Sequence, residues 1–137
     1  MIIDAKNAVM GRVASTAAKT LLNGERVIII NAEKSLITGS PKVARDKYTR
    51  IHQIGSPQHG PFLQKAPDRM LRRVVRGMMP YKKSSGKEAF KRLRVYIGTP
   101  VDFNEIKGDE KIVEMQKNIN ANYIHLGDVS KSLGWRE

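Results

Sequence analysis

The chain has 137 residues, 40% of them hydrophobic, which suffices for one domain with a real core and argues against wholesale disorder. Twenty-five basic against thirteen acidic residues give a formal net charge of +12, a self-repulsion that a polyanion relieves. The absence of cysteine excludes disulfides and thiolate zinc sites. No apolar run reaches the roughly 18 residues of a membrane span, and Met1 to Asn7 lacks the basic and apolar regions of a secretory signal, so an intracellular, cytosolic protein is expected.

Ile2 and Ile3, with Val9 beyond them, suggest a short first strand. Gly11 to Leu22 reads as a helix, because Val13, Ala17 and Leu21 are spaced four apart with Ala14 and Ala18 beside them. Asn23-Gly24 is a natural stop, since both residues tolerate a left-handed backbone. Val27 to Ile30 is an unbroken β-branched run and predicts a strand buried on both faces. Leu36 and Ile37 predict another short strand before Thr38-Gly39. A helix follows near Ser40-Pro41, with either Val43 or Ala44, then Tyr48 and Ile51, facing the core.

Gly55 to Pro67 is turn-rich. The clearest helix opens at Ala66-Pro67-Asp68, with proline in its first turn and an acid at its positive end. Met70, Leu71, Val74, Val75 and Met78 form its apolar stripe, and Gly77 and Pro80 end it. A short helix from Gly86 to Leu93 turns Ala89, Phe90 and Leu93 inward, and Val95 to Ile97 predicts a further buried strand closed by Gly98. Strands interleaved with helices predict a three-layer α/β/α fold around a mainly parallel sheet. One domain, 1–137, is expected, with 101–137 as a C-terminal extension. Its Ile106, Ile112, Val113 and Met115 are candidates to pack on the domain, and its end near Trp135 is left to contact RNA, a neighbouring protein or the domain.

The charge is concentrated. Residues 1–66 carry ten basic and four acidic residues (+6), residues 67–94 ten and two (+8), and residues 95–137 five and seven (−2). Within the middle segment, Arg69, Arg72, Arg73 and Arg76 recur at i, i+3, i+4 and i+7, which puts four guanidinium groups on one helical face. Arginine offers a rigid donor fork that suits phosphate oxygens. The plainer reading is a solvated face, with ion pairs to acids elsewhere. Lys82, Lys83 and Lys87 lie in or beside a flexible stretch with Ser84, Ser85 and Gly86, and Lys91, Arg92 and Arg94 extend the same positive region. Such contacts position a nucleic acid without reading its sequence. Tyr81 either stacks on an unpaired base or plugs the core edge. Gly11-Arg12 places Arg12 at a helix start, where a phosphate or plain solvent suits it equally.

Signs of catalysis are weak. His52, His59 and His125 lack the spacing of a metal motif, and no metal or cofactor is expected. Thr38-Gly39-Ser40-Pro41-Lys42 lacks the spaced glycines and terminal Gly-Lys-Ser/Thr of a phosphate loop, and a serine elbow is missing. Asp109-Glu110 reads as surface.

Three segments carry a resemblance to a known family. They are Val74-Val-Arg-Gly-Met-Met-Pro80 followed by Gly86 and Leu93-Arg-Val-Tyr-Ile-Gly98, then Met10-Gly-Arg-Val-Ala-Ser15, and Val27-Ile-Ile-Ile-Asn-Ala-Glu-Lys34 with Thr38-Gly39. In these the chain resembles the large-subunit ribosomal protein L13 family, in its archaeal form, from about Ile3 to Gly98. The resemblance implies an α/β/α domain with a four-stranded parallel sheet. It also implies a structural role in the cytoplasmic large ribosomal subunit, rRNA binding in support of assembly, neighbouring ribosomal proteins as partners, and neither catalysis nor a membrane or small-molecule ligand. Arg12, Lys34, Arg76, Lys82, Lys83 and Lys87 are the basic residues carried over by match. Arg69, Arg72 and Arg73 rest on the charge-face argument. The Asn23-Gly24-Glu25-Arg26 connection is shorter than in bacterial relatives, and Ile51-His-Gln-Ile-Gly-Ser-Pro57 replaces their histidine-tyrosine-proline-glycine loop, so contacts made there do not transfer. Three alternatives compete: an RNA-binding regulator off the ribosome, a module for acidic protein partners, and a small phosphate-handling enzyme.

Overall fold

Every residue of Val27–Ile30 is buried, which a strand achieves only when both faces of its sheet are covered. The computed structural model describes residues 1–102, 112–115 and 119–136. In it Val27–Ile30 (β2) lies between β1 (Ile2–Asp4) and β4 (Leu93–Val95), parallel to both. β5 (Ile112–Glu114) pairs in parallel with the far side of β1, so the order is β4-β2-β1-β5. β3 (Leu36–Thr38) is outside this sheet and pairs antiparallel with β6 (Tyr123–His125).

Side chains alternate across the sheet. Ile3, Val27 and Ile29 enter the main core with α1 (Met10–Leu22), α3 (Pro67–Gly77) and Ala89 of α4 (Ser84–Lys91). Ile2, Ile28 and Ile30 form a second cluster with Tyr96 on the opposite face. The result is the three-layer α/β fold. α2 (Pro41–Gln53) and α5 (Leu126–Ser132) complete five helices among the described residues, with a single 3-10 turn at Ala32–Lys34.

Local chemistry explains most boundaries. α1 buries Val13, Ala14, Ala17, Ala18 and Leu21, and the chain leaves it through Gly24 at φ +97°. Asn31 takes φ +55° after β2, a conformation asparagine tolerates, and its amide donates to Asp4 Oδ1 at 2.9 Å. α3 begins at Pro67 and has Asp68 in its first turn.

Several expectations are corrected. Met79 rather than Met78 enters the core, at 7% against 44% exposure, because α3 ends at Gly77 and the helical period ends with it. α4 spans Ser84–Lys91, and the strand expected at Val95 to Ile97 begins at Leu93, so Leu93 is buried from a strand instead of a helix. Of the two α2 candidates Ala44 faces inward and Val43 is exposed. In the C-terminal stretch Ile124, Leu126, Val129 and Leu133 join the core, and Met115 packs against it while Ile112 and Val113 stay exposed. Ile106, Asp109 and Glu110 lie outside the described residues.

Candidate nucleic-acid interface

The apolar side of α3 buries Met70, Leu71 and Val75. Its other side carries Arg69, Arg72, Arg73 and Arg76, and the structure brings all four to one open groove of about 350 Å³, with Phe62 and Phe90 in its wall. Among the described residues none of the four has a carboxylate within ion-pair distance.

Two pairs of contacts aim these guanidinium groups. Towards the preceding loop, Arg69 Nη1 donates to Gln64 Oε1 at 3.1 Å and Arg73 Nη1 donates to the Phe62 carbonyl at 3.1 Å. Towards α4, Arg72 lies over the Phe90 ring with Cζ 4.8 Å from its centroid, and Arg76 lies over Tyr81 at 5.3 Å. The two rings meet edge to face, 5.4 Å apart at 85°. A guanidinium stacked on a ring keeps its in-plane N–H donors, so stacking orients Arg72 and Arg76 without spending their hydrogen bonds. Tyr81 is thus neither buried in the core nor isolated. It is an exposed wall of this cation–aromatic stack.

The groove continues through Arg76 into a second open concavity of about 690 Å³ that Tyr81, Lys82 and Lys83 share. The loop there is anchored by Gly86, which is buried against the Pro80 carbonyl so closely that a Cβ would overlap it. Lys87 and Lys91 are exposed on α4, and Arg94 is exposed on β4. Arg92 is different. It is half-buried, and its Nη2 donates to the Leu21 carbonyl at 2.8 Å.

The remaining candidates lie apart from the groove. Arg12 is exposed in the first turn of α1. Lys34, on the 3-10 turn, sits 3.8 Å from Glu33 Oε1 and lines a separate cavity of about 210 Å³ with His125, Lys131 and Trp135. Trp135 is half-buried there, and its backbone N–H donates to the Ser130 carbonyl at 3.0 Å. His52 and His59 are exposed, and among the described residues no group of three His, Asp or Glu side chains has a metal-binding arrangement.

Sequence reasoning passed over Phe62 and Gln64, which arrive from a loop and share no period with α3, and assigned Phe90 to the core alone. The available signal for Phe62 was its isolation, a large ring inside a Gly/Pro-rich stretch. No helix among the described residues is long and apolar enough to cross a membrane.

The family model described as Ribosomal protein L13 matches residues 1–102. Large ribosomal subunit protein uL13 of Methanopyrus kandleri is 46% identical over 98% of this chain and 87% of its own length. The proteins of the same name from Methanococcoides burtonii and Methanosarcina barkeri are 42% and 43% identical, each over 97% of this chain and 96% of their own. With a family model covering more than half of its length and archaeal relatives matching nearly all of it, the chain belongs to the ribosomal protein L13 family.

Proposed function

We propose that this protein is a structural constituent of the large ribosomal subunit in the cytoplasm, binding ribosomal RNA through α3 and the basic residues after it and so supporting subunit assembly. The observation that carries the reading is the gathering of Arg69, Arg72, Arg73 and Arg76 around one groove, aimed by aromatic and carbonyl contacts and without carboxylate partners among the described residues.

Each guanidinium presents a planar donor fork to phosphate oxygens. Because their positions are set by Gln64, the Phe62 carbonyl, Phe90 and Tyr81, less side-chain entropy is lost on binding than from free surface arginines. Lys82 and Lys83 extend the track, and Lys87, Lys91 and Arg94 add cations on adjoining elements. Arg12 and Lys34 serve RNA elsewhere on the surface, and Arg92 contributes the donors that Leu21 leaves it. Neutralising phosphates of separate RNA helices lowers the cost of bringing those helices together.

Residues 1–137 act as one domain, with the C-terminal stretch packed on it through Ile124, Leu126, Val129 and Leu133 and its exposed surface left to neighbouring ribosomal proteins. The reading assigns the chain no catalytic step, cofactor, membrane or small-molecule ligand. Sedimentation and crosslinking test it together. The protein should remain with large subunits through a high-salt wash and yield rRNA crosslinks in the peptide 67–83. Release in the wash, or crosslinks confined to other peptides, would overturn it.

A further inference from the structure

Phosphate binding leaves Phe62 unexplained. Its side chain is 62% exposed, yet it stands in the wall of the arginine groove and in the wall of a second groove of about 260 Å³ formed by residues 52–63. The backbone that carries the ring forms a closed loop. Gly60 N–H donates to the Ser56 carbonyl at 2.7 Å, and Arg73 holds the Phe62 carbonyl. Gly55 has φ +94°, and a Cβ on it would lie 2.7 Å from Pro61 Cδ, so the loop closes where only glycine fits.

An apolar ring in contact with water among cations costs free energy that covering it would return. Phosphates alone do not cover it. An acidic peptide satisfies the guanidinium groups and leaves the ring wet, and a paired base presents only its edge. A flat aromatic base with a phosphate on either side satisfies both. Arg72 adds a second planar surface to the same groove, backed by Phe90.

We infer that the groove between α3 and the Phe62 loop receives an unpaired nucleobase of the bound RNA, stacked on Phe62, with Arg69 and Arg73 on the flanking phosphates. This rests on the RNA-binding reading above and adds the class of nucleotide that the site takes. Every base has a π-face, so the pocket selects unpaired over paired nucleotides with little preference among bases.

Two hairpin RNAs test it, one with a fully paired stem and one with a single unpaired adenosine in the same stem, titrated against the full chain by fluorescence anisotropy. The bulged hairpin should bind about tenfold more tightly, the scale of one base–aromatic stack. Phe62→Ala should erase that preference while keeping affinity for the paired hairpin within about twofold, and Phe62→Tyr should retain it. Equal wild-type affinity for the two hairpins overturns the inference and leaves the phosphate reading standing. Equal losses on both hairpins in Phe62→Ala also overturn it, because the ring then serves the loop. If polyglutamate displaces the bulged hairpin as readily as unlabelled RNA does, the groove belongs to an acidic protein. Failure of the wild type to bind either hairpin removes the RNA reading, and this inference with it.

Discussion

Arg92 donates from Nη2 to the carbonyl of Leu21 at 2.8 Å, tying the junction between α4 and β4 to the end of α1 across 71 positions of chain. The carbonyls of a helix's last turn have no partner within the helix, and that end carries partial negative charge. The Leu21 carbonyl accepts from Gly24 N–H at 3.1 Å, and the half-buried Arg92 guanidinium adds a second, charged donor at this negative helix end. Arg92→Ala should therefore lower stability by about 1.5–3 kcal/mol, the range for a hydrogen bond from a charged donor. Urea denaturation measures this, and RNA titration gives the complementary ranking: affinity should fall less than in Arg72→Ala. The reverse ranking would make Arg92 mainly an RNA contact.

The α3 arginines should show themselves in salt dependence. Replacing Arg72 and Arg76 singly by glutamine should each flatten the slope of log K against log salt by roughly one unit or slightly less. The stability cost should be about 0.5–1 kcal/mol, since each also loses an exposed stack on Phe90 or Tyr81. The Arg72→Glu, Arg73→Glu double variant should lose at least about tenfold in rRNA affinity while remaining folded by circular dichroism. Affinity within about twofold of the parent would show that the groove is not where phosphates bind.

Gly86→Ala tests the anchor of the basic loop. The added methyl meets the Pro80 carbonyl and the following amide, backbone atoms that cannot swing aside. Overpacking of this kind costs about 1–3 kcal/mol. A lowered urea midpoint with an unchanged m-value is expected. A variant as stable as the parent would show that the 80–86 turn relaxes freely.

Tyr48 sits on α2 against the core, and burial raises its phenol above the ordinary 10.0. The folded protein then holds this proton where the unfolded chain has released it. The contribution to stability is complete below pH 10.0 and is lost as pH rises through the raised folded value. Tyr48→Phe should flatten stability measured against pH in the alkaline range relative to the parent. Parallel curves for the two proteins would contradict it.

The legible parts of this fold were those in which one period dominates. Val13, Ala17 and Leu21 revealed α1, the Val27–Ile30 run revealed β2, and Pro67 with the twin stripes of α3 revealed the arginine face. Legibility failed where one residue serves two patterns. Leu93 continues the inward stripe of α4 and also begins β4, and only pairing with Val27 decides between them. Met78 and Met79 lie just past the helix, where the direction of the departing chain decides which is buried. The contacts of the arginines depend on where a loop returns. Nothing in the spacing of α3 reports that the Phe62 carbonyl meets Arg73 or that Phe90 lies beneath Arg72.

The strand order β4-β2-β1-β5 sets a schedule for folding. β1 leaves the ribosome that synthesises it first, yet one of its flanks is met only by residues 112–114. During synthesis that flank is an open row of amide and carbonyl groups while α3 and its arginines are already made. The cationic face of α3 is therefore complete before the sheet beneath has acquired its last edge. A nascent chain arrested before residue 112 should hold its α3 amides against deuterium exchange better than those of β1.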